Sequence, residues 1–206
     1  MGACTRSGRG TSTTTIYLIR HAHATWRQDE NRPLSDAGAK AAALVADRLA
    51  SRPIVAVYTS PFLRSVETVE PLARRLGLRP EPILDLRERE LPVVPPGEFE
   101  ALVRRAWSSA DDAPDGGESN VQAQARGLAV VRTVVARHSG AEVVVGTHGN
   151  LLALVLNALD SRFGYEFWRG LSFPDIYKLA FDGSAFRDVE RLWDAATRQV
   201  VQRHHG

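Results

Sequence analysis

The chain has 206 residues and a formal net charge of +2, a length that fits one domain. Hydrophobic residues make up 44% and charged residues 24% of it, which predicts a globular core and excludes a disordered chain. No run of basic residues marks a nucleic-acid-binding face, and the longest apolar run, at 151–156, is too short to span a membrane. We therefore expect neither nucleic acid nor a membrane as a partner.

The first residues, at 1–13, are small and polar and lack the apolar stretch of a signal peptide. Cys4 is the single cysteine, so the chain cannot form an internal disulfide, which fits a reducing compartment. We predict a disordered tail at 1–13, a single domain at 14–206 and a cytoplasmic location.

Strands and helices are expected to alternate along the domain. Short apolar, β-branched runs predict strands, and these lie at 16–19, 54–60, 80–86, 141–147 and 176–183, the last paired in a hairpin with 185–189. Capping residues and periodicity predict helices, and these run from Ser35 to about Ala50, from Pro61 to Gly77, over 98–107, from Ser119 to about His138 and over 150–159. This order predicts an α/β three-layer sandwich, in which a mostly parallel sheet carries helices on both faces. Residues 87–118 are irregular and rich in Pro and Gly, and we expect an insertion that covers the active site.

Charged and imidazole side chains follow two of the predicted strands. Arg20 and His21 end the first strand, and His148 ends the strand at 141–147; Arg64 lies one turn into the second helix. Ligands of such sheets bind beyond the carboxyl ends of the strands. Arginine pairs with two phosphoryl oxygens at once, and a neutral imidazole can attack phosphorus. With a carboxyl as general acid, this set can transfer a phosphoryl group without a metal.

A second interpretation of the first strand end uses His21 and His23. On a strand these two side chains share a face, so they could bind a metal ion in a hydrolase. The sequence shows no further cluster of His, Asp and Glu with ligand spacing. We keep this metal-dependent hydrolase as the alternative from another enzyme class.

Four segments occur in a defined order: LIRHAHATW at 18–26, TSPFLRSVETVEPLA at 59–73, LDLRERELP at 84–92 and VVVGTHGNLLALV at 143–155. Together they resemble the histidine phosphatase superfamily (branch 1), the group that includes cofactor-dependent phosphoglycerate mutase. The similarity extends from Thr15 to Leu159 and implies a phosphoglycerate mutase-like fold.

The resemblance also implies roles for individual residues. His21 would be the nucleophile that becomes phosphorylated, Arg20 and Arg64 would bind the phosphoryl group, and His148 would complete the pocket. Glu88 would be the general acid.

Several positions near the site stay open. Glu90 lies in the same alternating RERE run as Glu88, so either carboxyl could be the acid. Gly149 and Asn150 begin a predicted helix, and their N–H groups could bind an anion.

The chain departs from the family pattern beside the nucleophile. Ala22 replaces the common glycine of the RHG motif, His23 stands where the mutases have Glu, and Arg27 stands where they have Asn. We expect His23 and Arg27 to line the substrate-binding side of the pocket.

The resemblance allows a phosphatase or a phosphoglycerate mutase. The chain is shorter than typical mutases, which must exclude water during two transfers, so we favour hydrolysis without a cofactor. The expected substrate is a small phosphate ester or a phosphohistidine on a protein. The sequence does not indicate the oligomeric state.

Overall fold

The structure is a computed structural model that describes residues 13–25, 31–114 and 117–193. Apart from Thr13, the predicted tail lies outside these residues, and so does Arg27. In the described part of the chain, no helix combines the length and the apolar character needed to cross a bilayer. The cytoplasmic location stays a prediction.

One sheet of six strands forms the centre of the fold. The strands are β1 (Thr13–Arg20), β2 (Ile54–Thr59), β3 (Pro80–Pro82), β4 (Glu142–Thr147), β5 (Asp175–Asp182) and β6 (Ala185–Arg191). Their order is β3-β2-β4-β1-β5-β6. The four strands from β3 to β1 are parallel, whereas β5 is antiparallel to β1 and β6 is antiparallel to β5. The mostly parallel sheet and the closing hairpin are therefore confirmed.

The helices are α1 (Asp36–Leu49), α2 (Leu63–Arg75), α3 (Pro96–Ser108), α4 (Asn120–Arg137), α5 (Gly149–Leu159) and α6 (Tyr165–Arg169). Two of them begin with side-chain caps. The Gly38 amide donates to Ser35 Oγ over 3.1 Å at α1, and Ser119 with Gln122 forms a capping box at α4. The sequence did not predict α6, because five residues are too few to show a helical period.

Both faces of the sheet are buried. In β1, Ile16 and Leu18 belong to the core beneath α4 and α5, whereas Tyr17 and Ile19 belong to the core beneath α1 and α2. Since successive strand residues point to opposite faces, the continuous apolar run of β1 fills two cores at once. This confirms the predicted three layers.

Several predicted boundaries are wrong: β1 begins at Thr13 rather than at residue 16, and two others have a clear local cause. The third strand stops at Pro82, because a short 3₁₀ turn at Leu84–Leu86 takes the chain out of the sheet. The second helix begins at Leu63 rather than at Pro61, because Ser60 Oγ accepts the Phe62 amide over 3.2 Å and holds this stretch in a turn.

The register of β1 brings distant segments to one end of the sheet. Arg20 pairs with Thr147 of β4 on one side and with Asp175 of β5 on the other. The residues that follow β1 and β4 and the residues that precede β5 therefore meet at the same edge. This edge contains the candidate site.

Candidate active site

His21 lies directly beyond the end of β1 and is 5% exposed. Its amide donates to the Thr147 carbonyl over 3.0 Å and so continues the ladder between β1 and β4. The next amide, of Ala22, donates to Thr68 Oγ1 of α2 over 2.9 Å. The backbone on both sides of the imidazole is thus fixed by regular elements.

The hydrogen bonds of His21 define the proton on its ring. Nδ1 lies 2.7 Å from the Ala22 carbonyl oxygen, which can only accept, so Nδ1 carries the proton. Nε2 accepts from Arg64 Nε over 3.3 Å. Burial, and then the charge of Arg64, hold the pKa of His21 well below its usual value, although the Ala22 carbonyl opposes this. His21 is therefore neutral, with the lone pair on Nε2.

The Arg20 side chain packs closely against the start of α5. A Cβ on Gly149 would lie 2.9 Å from Arg20 Cζ, so glycine is needed for this approach. Arg20 Nη1 donates to the Leu171 carbonyl over 3.1 Å, while Nε is buried and has no hydrogen-bond partner among the described residues. Burial lowers the pKa of Arg20 to about 10, and the carboxylates of Glu88 and Asp175 oppose this shift.

His148 is fully buried beside His21, with the two ring centroids 5.1 Å apart. Its Nε2 lies 2.8 Å from Ser60 Oγ. Because Ser60 already accepts the Phe62 amide, we assign its hydroxyl proton to His148 Nε2, which leaves the imidazole proton on Nδ1. Within the described residues that Nδ1 has no partner, so it can donate to a bound anion. Burial, followed by His21 and Arg64, lowers the pKa of His148 well below its usual value.

Glu88, rather than Glu90, reaches this edge of the sheet. Its carboxylate accepts the amides of Asn150 over 3.1 Å, Leu151 over 3.0 Å and Arg89 over 2.8 Å. Glu90 is exposed, and its amide donates to a carboxylate oxygen of Glu118 over 3.1 Å. The geometry thus favours Glu88 for the role of acid.

These contacts also change the expectation for the start of α5. The predicted role of the Asn150 amide was to bind a substrate anion, but in the structure the anion at this helix terminus is the protein's own Glu88. Gly149 contributes through its lack of a side chain, which admits Arg20.

The family model of the histidine phosphatase superfamily (branch 1) matches residues 16–205. The chain belongs to this superfamily. It is 40% identical over 164 residues to the protein Rv0525 of Mycobacterium tuberculosis, covering 76% of this chain and 81% of that protein. It is 32% identical over 167 residues to a metal-independent phosphoserine phosphatase of Arabidopsis thaliana, covering 69% of this chain and 67% of that protein.

A solved structure shows the same fold. The mycobacterial glucosyl-3-phosphoglycerate phosphatase Rv2419c superposes with a TM-score of 0.71 at 25% sequence identity, covering 87% of this chain and 97% of that chain. The predicted membership of the superfamily is therefore confirmed, and the relatives include phosphatases.

Of the two residues predicted to line the substrate-binding side, His23 and Arg27, the structure describes His23. His23 of this histidine phosphatase is exposed, its Nδ1 lies 2.9 Å from Ser35 Oγ, and its ring centroid lies 6.3 Å from that of Phe173. His23 therefore lies at the rim of the site. Arg27 is outside the described residues, and its role stays a prediction.

The surroundings of His21 do not suit the metal-binding alternative. A metal ligand set that used His21 and His23 would place a cation beside Arg20 and Arg64, which repel it. Among the described residues, no group of three or more His, Cys, Asp and Glu side chains could hold a metal ion. The charges at this site instead favour an anion.

Sequence reasoning missed three groups near the site. The charge of Arg32 lowers the pKa of both His21 and His148, although burial lowers it more. Phe173 covers Arg20, with 3.4 Å between Arg20 Cζ and the ring centroid, and Ser60 orients His148. Arg32 lies three residues before the helix cap Ser35, and Phe173 lies in a loop that no pattern marks.

Proposed function

We propose that this histidine phosphatase is a metal-independent enzyme that hydrolyses phosphate monoesters through a phospho-His21 intermediate. The observation that carries the proposal is the neutral His21, whose proton lies on Nδ1 and whose Nε2 faces Arg64. A nitrogen lone pair beside fixed guanidinium groups is what in-line attack on a phosphoryl group needs. The phosphatase relatives support the same reaction.

In the first step, His21 Nε2 attacks phosphorus and the bond from phosphorus to the leaving oxygen breaks. Arg20, Arg64 and the Nδ1–H of His148 donate to the remaining phosphoryl oxygens, where negative charge is concentrated. The free Arg20 Nε and His148 Nδ1 gain partners in this complex. Glu88, in its protonated form, gives its proton to the leaving oxygen.

In the second step, water attacks phospho-His21 and the bond between phosphorus and nitrogen breaks. Glu88 accepts a proton from the attacking water, and inorganic phosphate leaves with the lone pair restored on His21 Nε2. The three amides around Glu88 suit this step, because their hydrogen bonds hold the carboxylate in a fixed position.

The proposal is tested with labelled phosphate esters. The protein is incubated with substrate in the presence and absence of a chelator, and samples are quenched in acid or in alkali. We expect protein-bound label that is stable in base and labile in acid, and turnover that the chelator does not change.

The matched variants are His21→Ala and His138→Ala. His138 lies at the end of α4, 2.9 Å from the Tyr58 hydroxyl, outside the site. The label should disappear in the first variant and persist in the second. Label that survives in His21→Ala, or activity abolished by the chelator, contradicts the proposal.

Mutase activity is the competing outcome in the same pocket. It predicts that phosphoglycerate is isomerised without release of free phosphate and that a bisphosphorylated primer is required. Measuring free phosphate and isomer in one reaction separates the two activities. A protein substrate that carries phosphohistidine is tested in parallel, with release of phosphate as the readout.

A further inference from the structure

Phe173 is a large apolar side chain at the edge of a site built from charged groups. Its ring stacks on the Arg20 guanidinium, and its centroid lies 5.5 Å from that of His21. The residue nevertheless remains 42% exposed. An aromatic residue that solvent can reach thus lies next to His21.

Phe62 makes a similar pair of contacts with Arg64 and His148. Arg64 Cζ lies 4.9 Å from its ring centroid, and the centroid of His148 lies 5.1 Å away. Each of the two phosphoryl-binding arginines therefore has one phenyl ring against it, and each ring also contacts one of the two histidines. We call Phe62 and Phe173 the aromatic pair.

The loop that carries Phe173 is held in place before any ligand binds. Asp175 is fully buried and accepts the amides of Ser172 over 3.0 Å and Ile176 over 3.2 Å. Arg191 Nε donates to the same carboxylate over 2.9 Å. A ligand that stacks on Phe173 consequently loses little free energy to ordering of the loop.

The phenyl rings of the aromatic pair favour leaving groups of one chemical kind. Phenyl rings offer dispersion and stacking but no hydrogen bonds, so they cannot replace the water around a polyhydroxylated group. A flat unsaturated ring attached to the phosphoryl oxygen can instead stack on Phe173 while Arg20 and Arg64 hold the phosphoryl group.

We propose that the aromatic pair is the leaving-group subsite and that this histidine phosphatase prefers small aryl phosphate monoesters. The inference rests on the proposed function for its chemistry, but it concerns binding and can be measured without turnover. In the reaction, the released group is a phenol that takes its proton from Glu88.

The test compares two non-hydrolysable ligands, benzylphosphonate and cyclohexylmethylphosphonate, by titration calorimetry. They match in charge and approximate size and differ in the flatness and π-electrons of the ring. Aromatic stacking contributes enough that we expect the wild-type protein to bind benzylphosphonate about fivefold more tightly.

Three variants assign that ratio to the ring. Phe173→Leu should bring it close to one, and Phe173→Tyr should preserve it. The control Phe186→Leu makes the same change in β6, where Phe186 pairs with Phe181 near the far end of β5. It should leave the ratio unchanged.

Two results overturn the inference: a wild-type ratio near one, or an equal loss of both ligands in Phe173→Leu, which would mean that Phe173 only positions Arg20. If Phe173→Leu does not fold, Phe62→Leu serves in its place and should also lower the ratio. These ligands do not turn over, so absence of the phospho-His21 label would contradict the proposed function alone and leave this measurement interpretable.

Discussion

The two sides of the site are held in different ways. His21 and His148 follow neighbouring parallel strands, and the His21 amide extends the ladder between them. Glu88 and Phe173 lie on irregular segments that arginine side chains, Arg126 and Arg191, anchor to the rest of the fold. We call the side with His21 and His148 the element-held side, because the sheet and its cores fix its geometry. We call the side with Glu88 and Phe173 the loop-held side, because a few side-chain contacts hold each of its groups in place.

The anchor of Glu88 is Arg126 on α4. Its guanidinium donates to the carbonyls of Asp85 over 2.6 Å, Arg87 over 2.9 Å and Glu88 over 3.1 Å, and it pairs with Glu118 over 2.7 Å. One side chain therefore shapes the whole segment that carries Glu88. We expect Arg126 to act as a positioning residue, through Glu88.

The largest effect should come from the element-held side. Arg64→Met removes a guanidinium that faces His21 Nε2, and we expect kcat/KM to fall by about 10²–10³-fold, the usual cost of one transition-state donor. Stability should change little, since Met fills similar space without a buried charge. Steady-state kinetics and urea unfolding measure both quantities.

Arg74→Met is the matched control for Arg64, since Arg74 lies on the same helix with an exposed side chain. It should retain activity. If both variants lose activity equally, the effect comes from α2 as a whole and the comparison between the two sides fails.

A smaller loss of activity is expected when a contact that holds the loop-held side is removed. Arg126→Met should lower kcat by about 10-fold to 10²-fold through Glu88 and lower the free energy of unfolding by about 2 kcal/mol through its lost charged hydrogen bonds. The exposed Arg132 on the same helix supplies the control variant Arg132→Met.

A double variant separates positioning from simple destabilisation. In a Glu88→Gln background, Arg126→Met should cause no further loss of kcat, because the group it positions is already gone. An additive loss of kcat would show that Arg126 acts by another route.

The last prediction concerns how the free energy of unfolding depends on pH, which distinguishes His21 and His148 from Glu118. The pKa values of His21 and His148 are lowered by burial, so the unfolded chain binds more protons below its histidine pKa of 6.5. Stability should fall as the pH drops below 6.5, with a slope that approaches about 1.4 kcal/mol per pH unit for each histidine at lower pH. The lowered pKa of His138 adds to this slope. Urea unfolding at pH 7.5, 6.5 and 5.5 measures the slope, which His148→Gln should reduce.

Glu118 on the loop-held side responds at lower pH. Burial raises the pKa of Glu118, but the hydrogen bonds from Arg126 and the Glu90 amide lower it by more. The net shift of its pKa is therefore downward from 4.5. Its contribution is present above pH 4.5 and is lost as the pH falls through the lowered value. A slope between pH 6.5 and 5.5 that His148→Gln leaves unchanged would contradict this separation.

The sequence anticipated the element-held side better than the loop-held side. β1 and β4 are apolar runs that end abruptly, so the positions of His21 and His148 beyond them were readable from the pattern. The alternating RERE run has no such boundary, and only the amides of Asn150 and Leu151 select Glu88 within it. The predicted strand over 80–86 was wrong for a related reason, because a 3₁₀ turn ends it early.

The sequence by itself determined the order of strands and helices, the family, and the set of arginines and histidines at the strand ends. Local periodicity and chain order carry that information. Only the tertiary structure decided the tautomer of His21, the partner of Glu88 and the stacking of Phe173 on Arg20. The last two depend on contacts between segments that are far apart in the chain, and the tautomer depends on the exact backbone path beyond β1, so no local pattern of residues encodes them.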